Sequence, residues 1–158
     1  INQYRGAIVR SIAEKANTMM PGIYDEGLLY SDDPIKGIRV MAPQYHPKRN
    51  QGRGHQLAQF LRSSITGAVD EVPGVGPVAK RKLAEAEDNI QTTHQLLGKY
   101  LSLKGKETDC IEHCETFYQW LKTIGINQYR GAIVRSIAEK ANTMMPGIYE
   151  GSLYPDDD

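Results

Sequence analysis

The chain has few cysteines, few tryptophans and phenylalanines, and no long apolar run. It contains two cysteines, one tryptophan and two phenylalanines among 158 residues. The cysteines, Cys110 and Cys114, are too few and too close in sequence for a disulfide framework. No apolar run approaches the ~20 residues that cross a bilayer, and we expect no signal peptide. These absences favour an intracellular protein with no membrane partner.

Net charge is also absent, because nineteen Lys and Arg balance nineteen Asp and Glu. The charge is nevertheless uneven along the chain. Between Pro34 and Val69 there is no acid, and the basic residues are Lys36, Arg39, Lys48, Arg49, Arg53 and Arg62. Residues 43–56 combine this charge with Pro, Gly and Gln, a composition that buries little apolar surface. The sequence therefore predicts an extended basic arm.

An internal repeat divides the chain. Residues 1–24, INQYRGAIVRSIAEKANTMMPGIY, recur letter for letter at 126–149. The copies then diverge, with EGLLYSDD at 26–33 and EGSLYPDD at 150–157. A 24-residue segment that holds one helix cannot make its own core. We therefore interpret it as the terminal piece of a unit about 125 residues long, the spacing of the two copies.

Four parts follow from this repeat. Residues 1–24 are a detached terminal helix from a preceding copy, 25–56 an extended basic connector, 57–149 a helical domain and 150–158 an acidic linker. The chain is then a window on a tandem-repeat polyprotein, with an artificial fusion as the alternative. The acidic linker is a solvated spacer, a docking peptide or a processing site.

The segment VPGVGPVAKRKL at 72–83 carries the most specific motif. Two glycines flank an apolar residue just before a helix, which is typical of a helix–hairpin–helix turn. Proline is tolerated in the first helical turn, and the free amides there suit a phosphate oxygen. The residues predicted to contact phosphate are Gly74, Gly76, Val78, Ala79, Lys80 and Lys82. The alternative is a turn that only joins two helices.

Helical periodicity accounts for the rest of the compact part. Apolar residues at three- and four-residue steps predict a short helix from Leu57, a helix capped by Thr92 or Thr93, and another that begins at Thr108 or Asp109. The last helix has a predicted buried face made of Ile126, Tyr129, Ile133, Ile137, Ala141 and Met144. No alternating strand pattern competes in residues 70–149, so the sequence predicts an all-α fold.

Three blocks of this part resemble the barrier-to-autointegration factor family, small helical DNA-bridging proteins of eukaryotic nuclei. The blocks are GVGPVAKRKL at 74–83, LGKYLSLK at 97–104 and FYQWLK at 117–122, in family order and followed by a last amphipathic helix. The resemblance implies a five-helix domain with a helix–hairpin–helix motif. It also implies a homodimer that bridges two DNA duplexes without sequence preference, by contacts to the phosphate backbone.

The resemblance further implies which residues would contact DNA. The hairpin amides of Gly74, Gly76, Val78 and Ala79 hold phosphate in the family. A second family contact lies at the start of the last helix, where the matching candidates are Asn127, Gln128 and Arg130. The family's basic residue near the N-terminus has no direct counterpart, and Arg53 or Arg62 of the connector would take its place.

Two functions from different classes remain. The first is DNA binding and bridging through these residues. The affinity for DNA is expected to be low, because residues 70–150 hold ten basic and eleven acidic side chains. The second is a structural assembly role, for example as a minor capsid or scaffold component of a virion, with protein partners.

Neither an enzyme nor a metal protein is predicted. Cys110, His113 and Cys114, with His94 upstream, have the right ligand chemistry for zinc but a poor spacing. No serine, cysteine or carboxylate has a recognisable base and orienting partner. We expect no cofactor, no metal and no catalytic residue.

Overall fold

This computed structural model describes residues 42–49 and 54–156. In these residues the regular secondary structure is helical. In chain order the helices are α1 (Gly54–Arg62), α2 (Pro77–Glu85), α3 (Thr93–Ser102), α4 (Cys110–Thr123) and α5 (Arg130–Met144). Short 3-10 turns lie at Val69–Glu71 and Gly151–Leu153. In the described ranges the only β pairing is an isolated bridge between Ala68 and Thr92. The predicted all-α class with five helices is confirmed.

Some predicted features lie outside the described residues. They are the detached helix at 1–24, the connector residues 25–41 and 50–53 with Arg53, and the acidic end at 157–158.

Local capping chemistry sets two helix starts as predicted. The Thr92 hydroxyl accepts a hydrogen bond from the Gln95 amide at 3.1 Å, and the Gln95 side chain accepts one from the Thr92 amide, which completes a capping box. Asp109 caps α4 by accepting from the Glu112 amide at 2.8 Å. Of the two alternatives open at each start, the structure selects Thr92 and Asp109.

The last helix, α5, is the centre of the fold. It packs against α1, α3 and α4, and nine of its fifteen residues are buried. Ile133, Ile137 and Ala141 are fully buried, as the periodicity predicts. Tyr129 and Met144 were predicted on the same face, but their side chains are 56% and 50% exposed, so this part of the prediction is wrong.

Backbone geometry explains the misplaced tyrosine. Gly125, at φ +89°, ends α4, and the Ile126 amide bonds back to the Leu121 carbonyl at 3.1 Å. Tyr129 then adopts a left-handed conformation with φ 60°, and α5 starts only at Arg130. Residues 126–129 therefore form a turn and do not continue the helical periodicity.

A buried cation joins α5 to α1. The Lys140 ammonium donates to the carbonyls of Phe60, Leu61 and Ser63 at 2.9, 3.2 and 2.6 Å, and the residue is 6% exposed. These carbonyls lie at the C-terminus of α1, where the helix has no amide donors left for them. Lys140 thus caps α1 from a distant helix.

Residues 43–49 and 149–156 pack against each other, and we call the pair of segments the clasp. Tyr154, 5% exposed, lies edge-on to Tyr45, with the ring centroids 5.6 Å apart. The His46 ring and the Pro155 carbonyl are 2.8 Å apart, and Lys48 pairs with Asp156. Tyr45 is 1% exposed, although the composition of residues 43–56 favoured an arm with little buried surface. Tyr154 is likewise buried in the segment expected as a linker.

The described helices include none that is both long and apolar enough to cross a membrane.

Candidate nucleic-acid interface

The glycine segment at 72–76 is a tight corner between the 3-10 turn and α2. Val72 and Val75 are buried and anchor it to the core, and the Val75 amide bonds to the Val72 carbonyl at 2.9 Å. Between them, Gly74 has φ +100°, a conformation that side chains with a Cβ rarely adopt. The corner therefore requires glycine at 74 for backbone reasons alone.

Gly74 also lets the corner approach α5 closely. A Cβ at this position would lie 2.9 Å from Ile133 Cγ1 and 3.1 Å from the Ile133 amide nitrogen. The residue is buried, so its own amide is not displayed on the surface as the sequence predicts for a phosphate contact. Gly74 instead fixes where the next residues point.

Gly76 and the first turn of α2 face solvent. Gly76 is the N-cap and is exposed, and nothing lies within 4 Å of a Cβ built on it. The first helical hydrogen bond runs from the Lys80 amide to the Gly76 carbonyl at 2.9 Å. The amides of Val78 and Ala79 precede it and have no acceptor within the helix. The Val78 side chain is 62% exposed, whereas the Ala79 methyl is buried.

Lys80 forms an ion pair with Asp70. Its ammonium lies 3.1 Å from the Asp70 carboxylate, and both side chains are about half exposed. This hydrogen bond lowers the pKa of Asp70 below its usual value. A phosphate that approaches Lys80 must therefore compete with a carboxylate already in place.

Glu71, the neighbour of Asp70, links the 3-10 turn before the corner to surrounding parts of the chain by hydrogen bonds. It accepts hydrogen bonds from the Thr66 and Thr93 hydroxyls at 2.5 and 2.6 Å, and from the Gly67 amide at 3.2 Å. Although burial raises it, these bonds bring the pKa of Glu71 down to about 2. The 3-10 turn is thus tied to α3.

Lys82, on α2, lies beside the turn before α5, where the second DNA contact is predicted. The chain at Gly125 leaves room for the lysine stem, since a Cβ there would lie 3.6 Å from Lys82 Cε and 3.7 Å from its Nζ. Asn127 and Gln128 follow directly and are exposed. The structure therefore brings Lys82 beside the turn that precedes α5.

Arg130 is turned inward. Its guanidinium donates to the Ile126 carbonyl at 3.0 Å and to the Tyr118 hydroxyl at 3.3 Å, and lies 4.8 Å from the centre of the Tyr118 ring. Its Nε is buried and has no hydrogen-bond partner in the described part of the chain. These contacts stabilise the turn before α5 and leave Arg130 poorly placed for a phosphate.

Of the two candidate residues from the connector, one lies within the described residues and one outside them. Arg62 is exposed in the last turn of α1, and Arg53 lies outside the described residues. A cleft of about 510 Å³ separates α1 from the corner, and Asp70 and Glu71 are among its lining residues. Arg62 does not line this cleft.

Within the described residues, the predicted phosphate contacts form two groups, and Lys80 and Arg62 belong to neither. The first, around the corner and the turn before α5, consists of Gly76, Val78, Ala79, Lys82, Asn127 and Gln128. The second, Gly74 and Arg130, supports this edge from inside. Asp70, which sequence reasoning missed, lies against Lys80. Periodicity carried no signal for this contact because Asp70 belongs to a different element.

The cysteine and histidine cluster does not form a metal centre. Within the described residues, no group of three His, Cys, Asp or Glu side chains is arranged to hold an ion. The His113 ring is buried and its Nε2 lies 2.6 Å from the Tyr100 carbonyl, with the two rings stacked at 3.9 Å. Burial lowers the pKa of His113, which favours the neutral form of the ring.

No family model matches this chain, and no curated protein or solved structure matches it either.

Proposed function

We propose that this protein binds double-stranded DNA without sequence preference, through a helix–hairpin–helix motif in residues 72–83. The observation that carries the proposal is the exposed N-terminus of α2. Gly76 is open to solvent there, and the amides of Val78 and Ala79 precede the first helical hydrogen bond. Such amides, at the positive end of a helix dipole, suit a phosphate oxygen.

The turn before α5 extends the same edge. Lys82 lies against Gly125, and the exposed amide side chains of Asn127 and Gln128 follow it. A cation and uncharged hydrogen-bonding groups next to a helix N-terminus can contact successive phosphates without reading bases. This combination supports backbone contacts and gives no basis for sequence preference.

Bridging of two duplexes requires two such edges in one particle. A dimer or consecutive units of a tandem array would supply them, and linkage of units raises the local concentration of each binding site.

The affinity of one unit is expected to be modest. Residues 70–150 are close to neutral, and Lys80 is already paired with Asp70. With about three phosphates neutralised, the logarithm of the binding constant would fall by roughly 3 per tenfold rise in salt. Weak, salt-sensitive binding is therefore the expected behaviour.

Filter binding of the full chain to a plain duplex at two salt concentrations tests the proposal. Gly76→Glu places a carboxylate where the phosphate would bind, and Lys82→Glu reverses the adjacent charge, so each should abolish binding. The matched controls are Gly98→Glu on α3, where a Cβ meets nothing within 4 Å, and Lys106→Glu in the α3–α4 loop. Equal losses in variants and controls, or no binding at low salt, would reject the proposal.

A structural assembly role is the second candidate, and one observation favours it. Val78 and Tyr129, at the same edge, are 62% and 56% exposed. Exposed apolar side chains on both sides of a corner suit a protein partner better than a phosphate backbone. If this role is correct, Val78→Ser will reduce self-association in sedimentation experiments while the chain shows no duplex binding at low salt.

A further inference from the structure

The two cysteines of the chain lie one helical turn apart at the start of α4. Cys110 is the first residue of the helix, directly after the N-cap Asp109, and Cys114 follows one turn later on the same face. Both thiols are free, and the sequence holds no other cysteine. Neither belongs to the edge that is proposed to bind DNA.

Hydrogen-bond donors surround the Cys110 sulfur. The Glu150 amide of the clasp donates to it at 3.3 Å, and the Cys114 thiol donates to it from the next turn. The Glu150 carbonyl lies farther away, at 3.8 Å. The N-terminus of α4 adds the positive end of a helix dipole. These surroundings stabilise a thiolate, which is the nucleophilic form of cysteine.

The neighbouring groups affect the pKa of Cys110 in both directions. The hydrogen bond from Cys114 has the largest effect and lowers the pKa, whereas burial raises it. The Glu150 amide and the Lys104 ammonium also lower it, and the Asp109 carboxylate raises it. The net result is a pKa below the ordinary value for a thiol, which increases the thiolate fraction at neutral pH.

Cys114 lies in different surroundings. It is fully buried, and the Tyr100 hydroxyl is 3.8 Å from its sulfur. The hydrogen bond with Cys110 and burial raise the pKa of Cys114, which favours its protonated form. Cys110, in contrast, keeps 9% of its surface exposed, which suffices for a reagent hardly larger than water. The helix start thus joins an ionisable thiol to a protonated, hidden one.

We propose that Cys110 is a peroxide-sensitive thiol and that Cys114 converts its oxidised form into a disulfide. In the first step the Cys110 thiolate attacks one oxygen of hydrogen peroxide, the O–O bond breaks, and hydroxide leaves. The sulfur becomes a sulfenic acid. In the second step the Cys114 sulfur attacks the Cys110 sulfur, and the sulfenic oxygen leaves as water with the Cys114 proton. Two thiols are oxidised, and one peroxide is reduced.

The second step needs a small change at the helix start. Side chains one turn apart have Cβ atoms about 5–6 Å apart, whereas a disulfide needs about 3.5–4.5 Å. Cys110 is the first helical residue, and its amide has no acceptor within the helix, so the first turn can tighten without disturbing the helix interior. The new bond draws the Cys110 sulfur away from the Glu150 amide. Oxidation therefore removes a contact between α4 and the clasp.

Mass spectrometry of the full chain with peptide mapping tests the proposal, because each thiol can be assigned. The folded chain at pH 7 is exposed to a small excess of hydrogen peroxide. We expect a monomer with a Cys110–Cys114 disulfide, which dithiothreitol reverses. In Cys114→Ser, added oxygen should appear on Cys110 instead, because the second thiol is missing. A disulfide-linked dimer, or no disulfide in the parent chain, would overturn the proposal.

Cys110→Ser is the matched control. Its remaining thiol, Cys114, should react with peroxide at least about tenfold more slowly than Cys110 does in Cys114→Ser. Equal rates would show that Cys110 is not activated, and the proposal would be wrong. Brief labelling of the folded parent chain with iodoacetamide requires no variant. It should modify Cys110 before Cys114, and equal or preferred labelling of Cys114 would also overturn the proposal.

Discussion

The two ends of the domain use their polar groups in opposite ways. At the α1 and clasp end, Lys140 and His46 are buried and bonded to carbonyls. At the corner before α2, by contrast, the amides of Val78 and Ala79 have no helical acceptor, and Lys82 lies along the surface turn at Gly125. Groups of the first kind stabilise the fold, and groups of the second kind are available to a ligand. Substitutions should therefore affect stability at one end and binding at the other.

The largest effect is expected at Lys140. Lys140→Met should lower the free energy of unfolding by about 3 kcal/mol. The cost arises because three carbonyls at the end of α1 lose their donor. Urea denaturation measures it, and Lys106→Met, at an exposed lysine of the α3–α4 loop, is the matched control. A loss below about 0.5 kcal/mol, the range of ordinary surface changes, would contradict a structural role for Lys140.

The two glycines of the corner should respond differently to the same substitution. Gly74→Ser introduces both a strained φ and a contact at 2.9 Å with Ile133, which should cost roughly 2–3 kcal/mol. Gly76→Ser meets no neighbour and places a favoured N-cap residue, so its effect should stay within about 0.5 kcal/mol. Thermal or urea unfolding of both variants checks this contrast. Equal destabilisation would show that the corner is not held against α5.

Acid should weaken the core next to His113. Its pKa is lowered in the folded chain, so the unfolded chain binds the extra proton first. The stability contribution is complete above the ordinary pKa of about 6.5, and it is lost as the pH falls from there toward the lowered folded value. The slope should reach up to about 1 kcal/mol per pH unit.

His113→Asn provides the control for this pH dependence, since an amide keeps a donor for the Tyr100 carbonyl and does not titrate. Urea midpoints from pH 7 to pH 5 should fall less steeply in this variant. Identical slopes would mean that His113 does not cause the loss.

The smallest effect concerns the Asp70–Lys80 pair at the corner. If the corner binds duplex DNA, Asp70→Asn should raise the affinity about 2- to 5-fold, because it frees Lys80 and removes a like charge from the phosphate. Asp88→Asn is the control, since Asp88 pairs with Lys99 at 3.0 Å instead. An equal gain in both variants would indicate a general charge effect, and no gain would show that Lys80 does not contact the duplex.

Much of the fold could be predicted because its signals are local. Thr92 and Asp109, both named from the sequence, cap the helices that follow them. The error at Tyr129 has a local cause too, since a left-handed residue interrupts the periodicity without leaving a mark in the sequence. Lys140 is different, because its burial depends on the carbonyls that α1 presents. No helical pattern indicates that a lysine will enter the core.

The candidate site likewise combines features that the local sequence predicts with features that depend on packing. The glycine spacing predicted the corner and its solvent-facing amides, but the cations next to it could not be sorted from the sequence. Lys80 is paired with Asp70, and Arg130 is bonded inward to the Ile126 carbonyl. These partners come from separate elements, so their positions follow from packing.

By itself the sequence determined the helices and the capped starts of two of them, because capping depends on neighbouring residues. It also shows that residues 1–24 repeat residues 126–149 letter for letter. The tertiary structure decided which charged groups are used internally and which remain at the surface. The reason is that the energy of a charge depends on what surrounds it, and those surroundings come from parts of the chain that are distant in sequence.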